Sequence, residues 1–242
     1  MTIHTVYFDL GSESRFQGYT DLAQIGQYYS LTVNSQLTRL YTAVNFLQPA
    51  NLTLIDRISK SSVLVSKNFY SSHSIVMANQ EGVNAELADY EKEHNSRNLL
   101  PLLIKKYNDG KFTSLFLSPQ SKIDSIKISQ PRGLGLALDC VTAKNIVVFA
   151  GGTGLYPYSD LIDLLFKAKL VREEHQLSSM ILESDPLLKK RPFEGMHFTF
   201  YIAVNELDEL HPVTLYECNE LCHSFNFKAY AKIKGVNLEQ LK

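Results

Sequence analysis

The segment NIVVFAGGTGLYPYSDLIDLLFKA, residues 145–168, restricts the fold of this chain more than any other. It begins with an uninterrupted apolar run, typical of a strand buried on both faces. Gly151, Gly152, Thr153 and Gly154 follow, and apolar residues then return at helical spacing. The first turn of a helix carries N–H groups without helical partners and a partial positive charge, which together attract anions. The segment therefore predicts a phosphate-binding loop, with a plain strand-to-helix turn as the alternative.

Strand and helix patterns continue to alternate after Asp139. Strand–helix alternation of this kind predicts a parallel sheet joined by right-handed crossovers. Pro212 suits the first turn of the second helix, because proline is tolerated where its missing N–H is not needed. We place a domain boundary near residues 139–144. The predicted strands are 145–150, 196–205 and 227–233, and the predicted helices are 158–170 and 211–225.

The first half of the chain reads as short strands rich in β-branched and aromatic residues. This density of strands and turns predicts an antiparallel barrel or sandwich. The segment 72–98 is mostly polar and charged, and we predict a surface loop there, with a partner-binding insertion as the alternative. The predicted strands are 28–34, 37–48, 52–58, 62–78, 99–107 and 123–129.

Composition restricts the partners and the compartment. The net charge of −1 does not favour nucleic acid. The sequence contains no apolar run of roughly 20 residues, the length that spans a membrane. Its three cysteines indicate reduced thiols inside a cell, in mitochondria or cytoplasm. Cys218, Cys222 and His223 share a predicted helix, but a structural zinc site needs four ligands, so we predict no metal site.

Four motifs occur along the chain in a fixed order: NFYSS at 68–72, GKFTS at 110–114, PRGLG at 131–135 and AGGTG at 150–154. This ordered set resembles the ferredoxin–NADP reductase-like superfamily, most closely its cytochrome b-five reductase branch. The resemblance implies an antiparallel FAD-binding β barrel followed by a Rossmann-like α/β domain that binds NAD(P)H. It also implies that hydride passes from the nicotinamide to flavin N5, and that electrons then leave to an acceptor.

The resemblance assigns domains. They are an N-terminal arm at 1–27, an FAD-type barrel at 28–140 with the insertion at 72–98, and an NAD(P)-type domain at 141–242. Within the barrel, Tyr70 resembles the aromatic residue that packs along the flavin. Ser71 resembles the hydroxyl that bonds flavin N5, which makes it the candidate catalytic residue.

The remaining expected cofactor contacts are backbone and small polar groups. Gly110, Lys111, Phe112, Thr113 and Ser114 resemble the turn and helix start that hold the FAD pyrophosphate in this family. The loop Gly151–Gly154, with Thr153, resembles the NAD(P) pyrophosphate loop. Pro131 and Gly133 resemble the proline–glycine pair at the domain junction, beside the nicotinamide path.

Three departures from the family pattern leave activity open. Asn68 stands where the flavin motif begins with arginine, and losing a guanidinium–phosphate bond of about 1.5–3 kcal/mol weakens FAD binding about tenfold or more. The insertion begins directly beside the flavin motif. The nucleotide domain is expected to be C-terminally shortened and incomplete, with an open sheet edge that a partner chain would cover.

Two functions therefore remain open from the sequence. The first is a flavin oxidoreductase that carries hydride and electrons from NAD(P)H through FAD to an acceptor. The second is a catalytically impaired, reductase-derived accessory subunit of a larger assembly, such as a mitochondrial respiratory one, in which FAD and NAD(P)H binding are lost. The four motifs favour the first function, whereas Asn68 and the shortened domain favour the second.

Overall fold

The computed structural model describes residues 2–10, 21–48, 74–78, 99–107, 109–117, 125–173, 175–206, 209–224 and 226–234. The chain divides into two compact units. The first unit comprises Met1–Tyr19 with Gly26–Gly135, and the second comprises Thr20–Ile25 with Leu136–Lys242.

The first sheet of the first unit has β1 (Thr2–Asp9) at its centre, between β4 (Ser74–Ala78) and β5 (Leu99–Lys106). β1 pairs antiparallel with β5 and parallel with β4. Residues 2–9 are thus a central strand, although the sequence placed them in an N-terminal arm. Residues 74–78 lie within the strand expected at 62–78 and overlap the start of the expected surface loop. The place of β1 depends on partners distant in the chain, which its local pattern does not reveal.

The second sheet of this unit is wholly antiparallel. It consists of β2 (Tyr28–Val33), β3 (Leu37–Thr42) and β6 (Ile126–Ile128), in the order β3-β2-β6. An isolated bridge between Ala43 and Leu102 connects the chain after β3 to β5. The strand expected at 52–58 lies outside the described residues.

One apolar core joins these two sheets. Its buried members include Val6 from β1, Leu31 from β2 and Leu102 from β5. The short helix α1 (Lys111–Leu117) adds Phe112, whose ring centroid lies 5.6 Å from that of Tyr41. Burial of such side chains contributes roughly 1.5–3 kcal/mol each, so this core holds the two sheets together.

The second unit contains the parallel sheet that the sequence predicts. Its strands β7 (Asn145–Gly151), β8 (His197–Val204) and β9 (Phe227–Ile233) are neighbours in chain order and all parallel. The helices α2 (Tyr156–Glu173) and α4 (Pro212–Cys222) match the two predicted helices. α3 (His175–Ser184) was not predicted, because its short pattern begins only two positions after α2 ends.

The two crossovers of this sheet run in the same direction, each to the neighbouring strand. Right-handed crossovers then place their helices on one face of the sheet. The burial of the strand residues agrees with helices on one face only. Val148, Phe200 and Phe227 are buried, whereas their neighbours along β7, β8 and β9 are largely exposed. Within the described ranges, no helix covers the second face.

Candidate functional site

The glycine loop lies at the carboxyl end of β7, where parallel α/β sheets bind their ligands. A single 3₁₀ turn, Gly152–Leu155, links the strand to α2. Gly151, Thr153 and Gly154 are exposed, whereas Leu155 is buried and anchors the turn. The backbone of the loop is therefore accessible, and its anchor is apolar.

Gly152 and Gly154 differ in how strongly the protein's own structure requires a glycine at that position. Gly152 has φ +51°, a left-handed conformation that side chains other than glycine adopt at a cost. A Cβ at Gly154 would meet no atom within 4 Å, so packing does not require glycine there. A glycine that the protein's own packing does not require suits a position that a ligand approaches closely. The loop thus fits a pyrophosphate group by its exposure and by the open space at Gly154.

Glu209 is a site residue that the sequence analysis missed. Its carboxylate is almost fully buried, and Oε2 lies 3.6 Å from the position of a Cβ on Gly152. The carboxylate accepts hydrogen bonds from the Asn205 backbone N–H at 3.4 Å and from Asn205 Nδ2 at 3.3 Å. A negative charge here opposes an anion at the loop. No local pattern marks Glu209, because its position beside Gly152 depends on the fold.

The turn before α1 is the expected FAD pyrophosphate site. Thr113 Oγ1 donates to the Gly110 carbonyl at 3.2 Å, and the Thr113 side chain is buried. Phe112 is buried in the core of the first unit. Lys111 and Ser114 are exposed. This turn can therefore offer the Lys111 and Ser114 side chains to a phosphate, whereas Phe112 and Thr113 shape the turn from inside.

Gly110 and Gly133 are both required by close packing. A Cβ on Gly110 would collide with Thr113 Oγ1. Gly133 has φ +84°, and a Cβ there would lie 2.9 Å from Cε1 of Tyr28. The neighbouring Arg132 pairs with Tyr28 through two backbone hydrogen bonds of 3.0 and 2.8 Å. Pro131 is exposed beside this pair. These contacts explain the shape of the turn, and the cofactor role of Pro131 and Gly133 stays a prediction.

The flavin motif itself is not described. Asn68, Tyr70 and Ser71 lie outside the described residues. The expected catalytic role of Ser71 therefore also stays a prediction, as does the effect of Asn68 on FAD binding.

A buried charged cluster joins α2 to its neighbours, and sequence analysis did not predict it. Lys167 Nζ lies 2.8 Å from Asp163 Oδ2 and also pairs closely with Asp185. All three side chains are nearly inaccessible to solvent. Burial by itself lowers the pKa of Lys167, but the two carboxylates raise it above its ordinary value, so the ammonium stays charged.

Glu217 on α4 completes this cluster. Burial raises its pKa well above the ordinary value, and the nearby Asp163 carboxylate raises it further. Burial also raises the pKa of Asp163, against the lowering effect of Lys167. A side-chain hydrogen bond with Asp163 raises the pKa of Glu217 as well, because only the protonated acid can donate it to the Asp163 carboxylate. Burial and this hydrogen bond therefore both favour the neutral acid at Glu217.

The cysteines and the metal-ligating side chains were the remaining candidates for a site. Burial raises the pKa of the Cys218 thiol, and Cys222 is exposed, so the two cysteines do not share one environment. Across the described residues, no group of three or more His, Cys, Asp or Glu side chains could hold a metal ion.

A cavity of about 300 Å³ is lined by Phe198 and Phe227, at the end of the sheet opposite the glycine loop, and contains none of the predicted site residues. No helix in the described part of the chain is long and apolar enough to cross a membrane.

Comparisons with known proteins give structural matches only. No family model matches the chain, and no curated protein matches it. A mutant of ferredoxin-NADP+ reductase from Plasmodium falciparum in complex with 2′P-AMP is 16% identical, with a TM-score of 0.41, covering 86% of this chain and 58% of that one. The flavohem-like FAD/NAD-binding domain of nitric oxide dioxygenase from Vibrio cholerae is 13% identical, with a TM-score of 0.41, covering 96% and 72%.

A third structure is larger than this chain. The flavohemoglobin from Malassezia yamatoensis with bound FAD and heme is 16% identical, with a TM-score of 0.37, covering 86% of this chain and 36% of that one. The chain thus spans 58% of the Plasmodium reductase and 36% of the flavohemoglobin.

The fold class follows from the order of the elements along the chain. β sheets of mainly antiparallel strands precede a parallel α/β unit that opens with a glycine loop. This order of elements confirms the fold class expected from the sequence. The parallel pairing of β1 with β4 is the one departure from antiparallel order among the described strands of the first unit.

Proposed function

We propose that this chain is a ferredoxin–NADP reductase-like oxidoreductase that binds NAD(P)H at the loop Gly151–Gly154 and FAD in the first unit. The observation that carries the proposal is the accessible glycine loop between β7 and α2, with open space at Gly154. Fold alone does not imply activity, so the argument rests on this loop.

The chain's own groups have distinct tasks in this proposal. The N–H groups at the start of α2 and the Thr153 hydroxyl would bind and orient the nucleotide pyrophosphate. The exposed Lys111 side chain and Ser114 hydroxyl would bind the FAD pyrophosphate, and Ser71 would donate a hydrogen bond at flavin N5. When bound, the two cofactors supply hydride transfer and onward electron transfer.

The first test is a spectrum of the purified full chain. A bound-flavin absorption spectrum that bleaches on adding NADH or NADPH without oxygen would support the proposal. Folded protein that carries no flavin and does not take up added FAD would overturn it. A flavin spectrum that neither nucleotide bleaches would also overturn it, because the nucleotide half would then have no redox role.

A pair of glycine variants tests the loop separately. Gly154→Ala adds a methyl group where no protein atom lies within 4 Å, so we expect unchanged stability and at least about tenfold weaker NAD(P)H binding. Gly195→Ala is the matched control: it also meets no atom within 4 Å, but φ is +73°. It lies just before β8 and far along the sheet from the loop. We expect it to lower stability by about 1 kcal/mol and leave binding unchanged. Equal binding by wild type and Gly154→Ala would contradict the loop assignment.

The accessory-subunit alternative is favoured by a different observation. The Glu209 carboxylate beside Gly152 adds negative charge where the pyrophosphate would bind. In that case the chain contributes its fold to a larger assembly, mitochondrial respiratory or other, and a partner chain covers the open edge of the sheet. The variant Glu209→Gln tests this alternative. A gain in nucleotide affinity of about tenfold would show that the Glu209 charge weakens nucleotide binding in the wild-type protein.

A further inference from the structure

The uncovered face of the second unit's sheet carries a row of aromatic rings. Phe149, Tyr201 and Tyr230 are register partners on β7, β8 and β9. Their exposed fractions are 76%, 43% and 52%. Parallel sheets in α/β proteins are normally covered on both faces, because their strands are apolar on both faces. Three large exposed aromatic residues side by side therefore indicate a surface that another molecule covers.

The orientation of the rings favours a protein over a nucleic acid. The ring centroids of Phe149 and Tyr201 are 5.0 Å apart with planes at 11°, and those of Tyr201 and Tyr230 are 5.2 Å apart at 14°. Rings lying flat on the sheet at these distances would overlap, so the rings stand upright and face one another. Their edges point outwards, whereas a platform for base stacking must present ring faces. Upright rings form a ridge against which aliphatic side chains pack.

The charged side chains of this face are lysines, and they lie on its β9 side. Lys228 and Lys232 flank Tyr230 along β9, and both are exposed. On the opposite side, β7 presents the apolar Val147, which is 55% exposed. Among the described strand residues of this face, none is acidic. The face is thus apolar on its β7 side and basic on its β9 side.

We propose that this face binds an amphipathic helix of a partner chain, with acidic residues along the flank that lies over β9. Three strands span roughly 10 Å between the outer backbones, which matches the diameter of one helix with its side chains. The apolar stripe of such a helix packs on the aromatic row. Its acidic flank pairs with Lys228 and Lys232. This binding does not depend on whether the chain transfers hydride.

Site-specific photo-crosslinking of the full chain, in the cells that naturally make it, tests this proposal. A photo-reactive phenylalanine analogue replaces Phe149 in one variant and Tyr230 in another. Leu215 on α4 is the matched control position, since it is 42% exposed but lies on the helical layer. We expect adducts from 149 and 230, but not from 215, to one segment of a partner chain. That segment should have apolar residues at helical spacing and acidic residues in the peptide captured from 230.

Charge variants in the same background complete the test. Lys228→Glu with Lys232→Glu should lower the yield from position 230 about fivefold, whereas the two Lys→Arg changes should preserve it. Several outcomes would overturn the proposal: adducts only within the chain, to a second copy of it, or to RNA, or no adduct from either position. Equal yields in the Glu and Arg variants would overturn the acidic flank. Circular dichroism of each variant separates lost folding from lost binding.

Discussion

Replacing Lys167 with methionine would leave the carboxyl groups of Asp163 and Asp185 buried without their cation. The Nζ–Oδ2 distance to Asp163 is 2.8 Å, and the Lys167 side chain is 1% exposed. Removing one partner of a buried ion pair typically costs about 3–5 kcal/mol, because the remaining charge is unpaired in a poorly polarisable environment. For a domain of roughly 100 residues this corresponds to a fall in Tm of about 15–30 °C.

Urea unfolding at neutral pH, followed by circular dichroism, measures this cost. Lys169→Met is the matched control on the same helix, since Lys169 donates to the Glu220 carbonyl at 2.8 Å and lies 3.8 Å from the half-exposed Glu173 carboxylate. We expect the control to cost about 1 kcal/mol. Adding Asp163→Asn and Asp185→Asn to Lys167→Met should recover part of the loss. If Lys167→Met costs no more than Lys169→Met, the buried cluster is not formed as described.

Further predictions concern ionisation and backbone shape. Burial and Asp163 raise the pKa of Glu217, so the contribution of Glu217 to stability is full below its ordinary pKa of 4.5 and is lost as the pH rises through the raised value. The variant Glu217→Gln should therefore be more stable than wild type at neutral pH. Its urea midpoints, measured from acid to neutral pH, should change less with pH than those of wild type. Burial raises the pKa of Tyr29 and Tyr41 to about 12, so an absorbance titration should show these two phenols ionising later than exposed tyrosines, and a single transition near 10 would contradict their burial. Gly133→Ala should lower the free energy of unfolding of the first unit by about 1–3 kcal/mol, measured in urea, because of its positive φ and its contact with the Tyr28 ring.

Local patterns were sufficient for the glycine loop and for most of the second unit. The loop, α2 and α4 depend on signals carried by neighbouring residues: a buried apolar run, glycines and helical spacing. The same reasoning failed for β1, because its role as a central strand depends on pairing with β4 and β5, which follow more than 60 positions later. Pairing over such distances leaves no mark in the pattern of the strand itself.

The sequence by itself determined the strand–glycine–helix arrangement and the order of sheets and helices, because these follow from periodicity and from the conformational freedom of glycine. Only the tertiary structure decided what surrounds them. It placed the Glu209 carboxylate beside Gly152, collected Asp163, Lys167 and Glu217 between two helices, and left Tyr201 exposed on a strand whose pattern reads as buried on both faces. Burial and charge environment depend on which distant elements cover a residue, and strand periodicity specifies only which residues share a face.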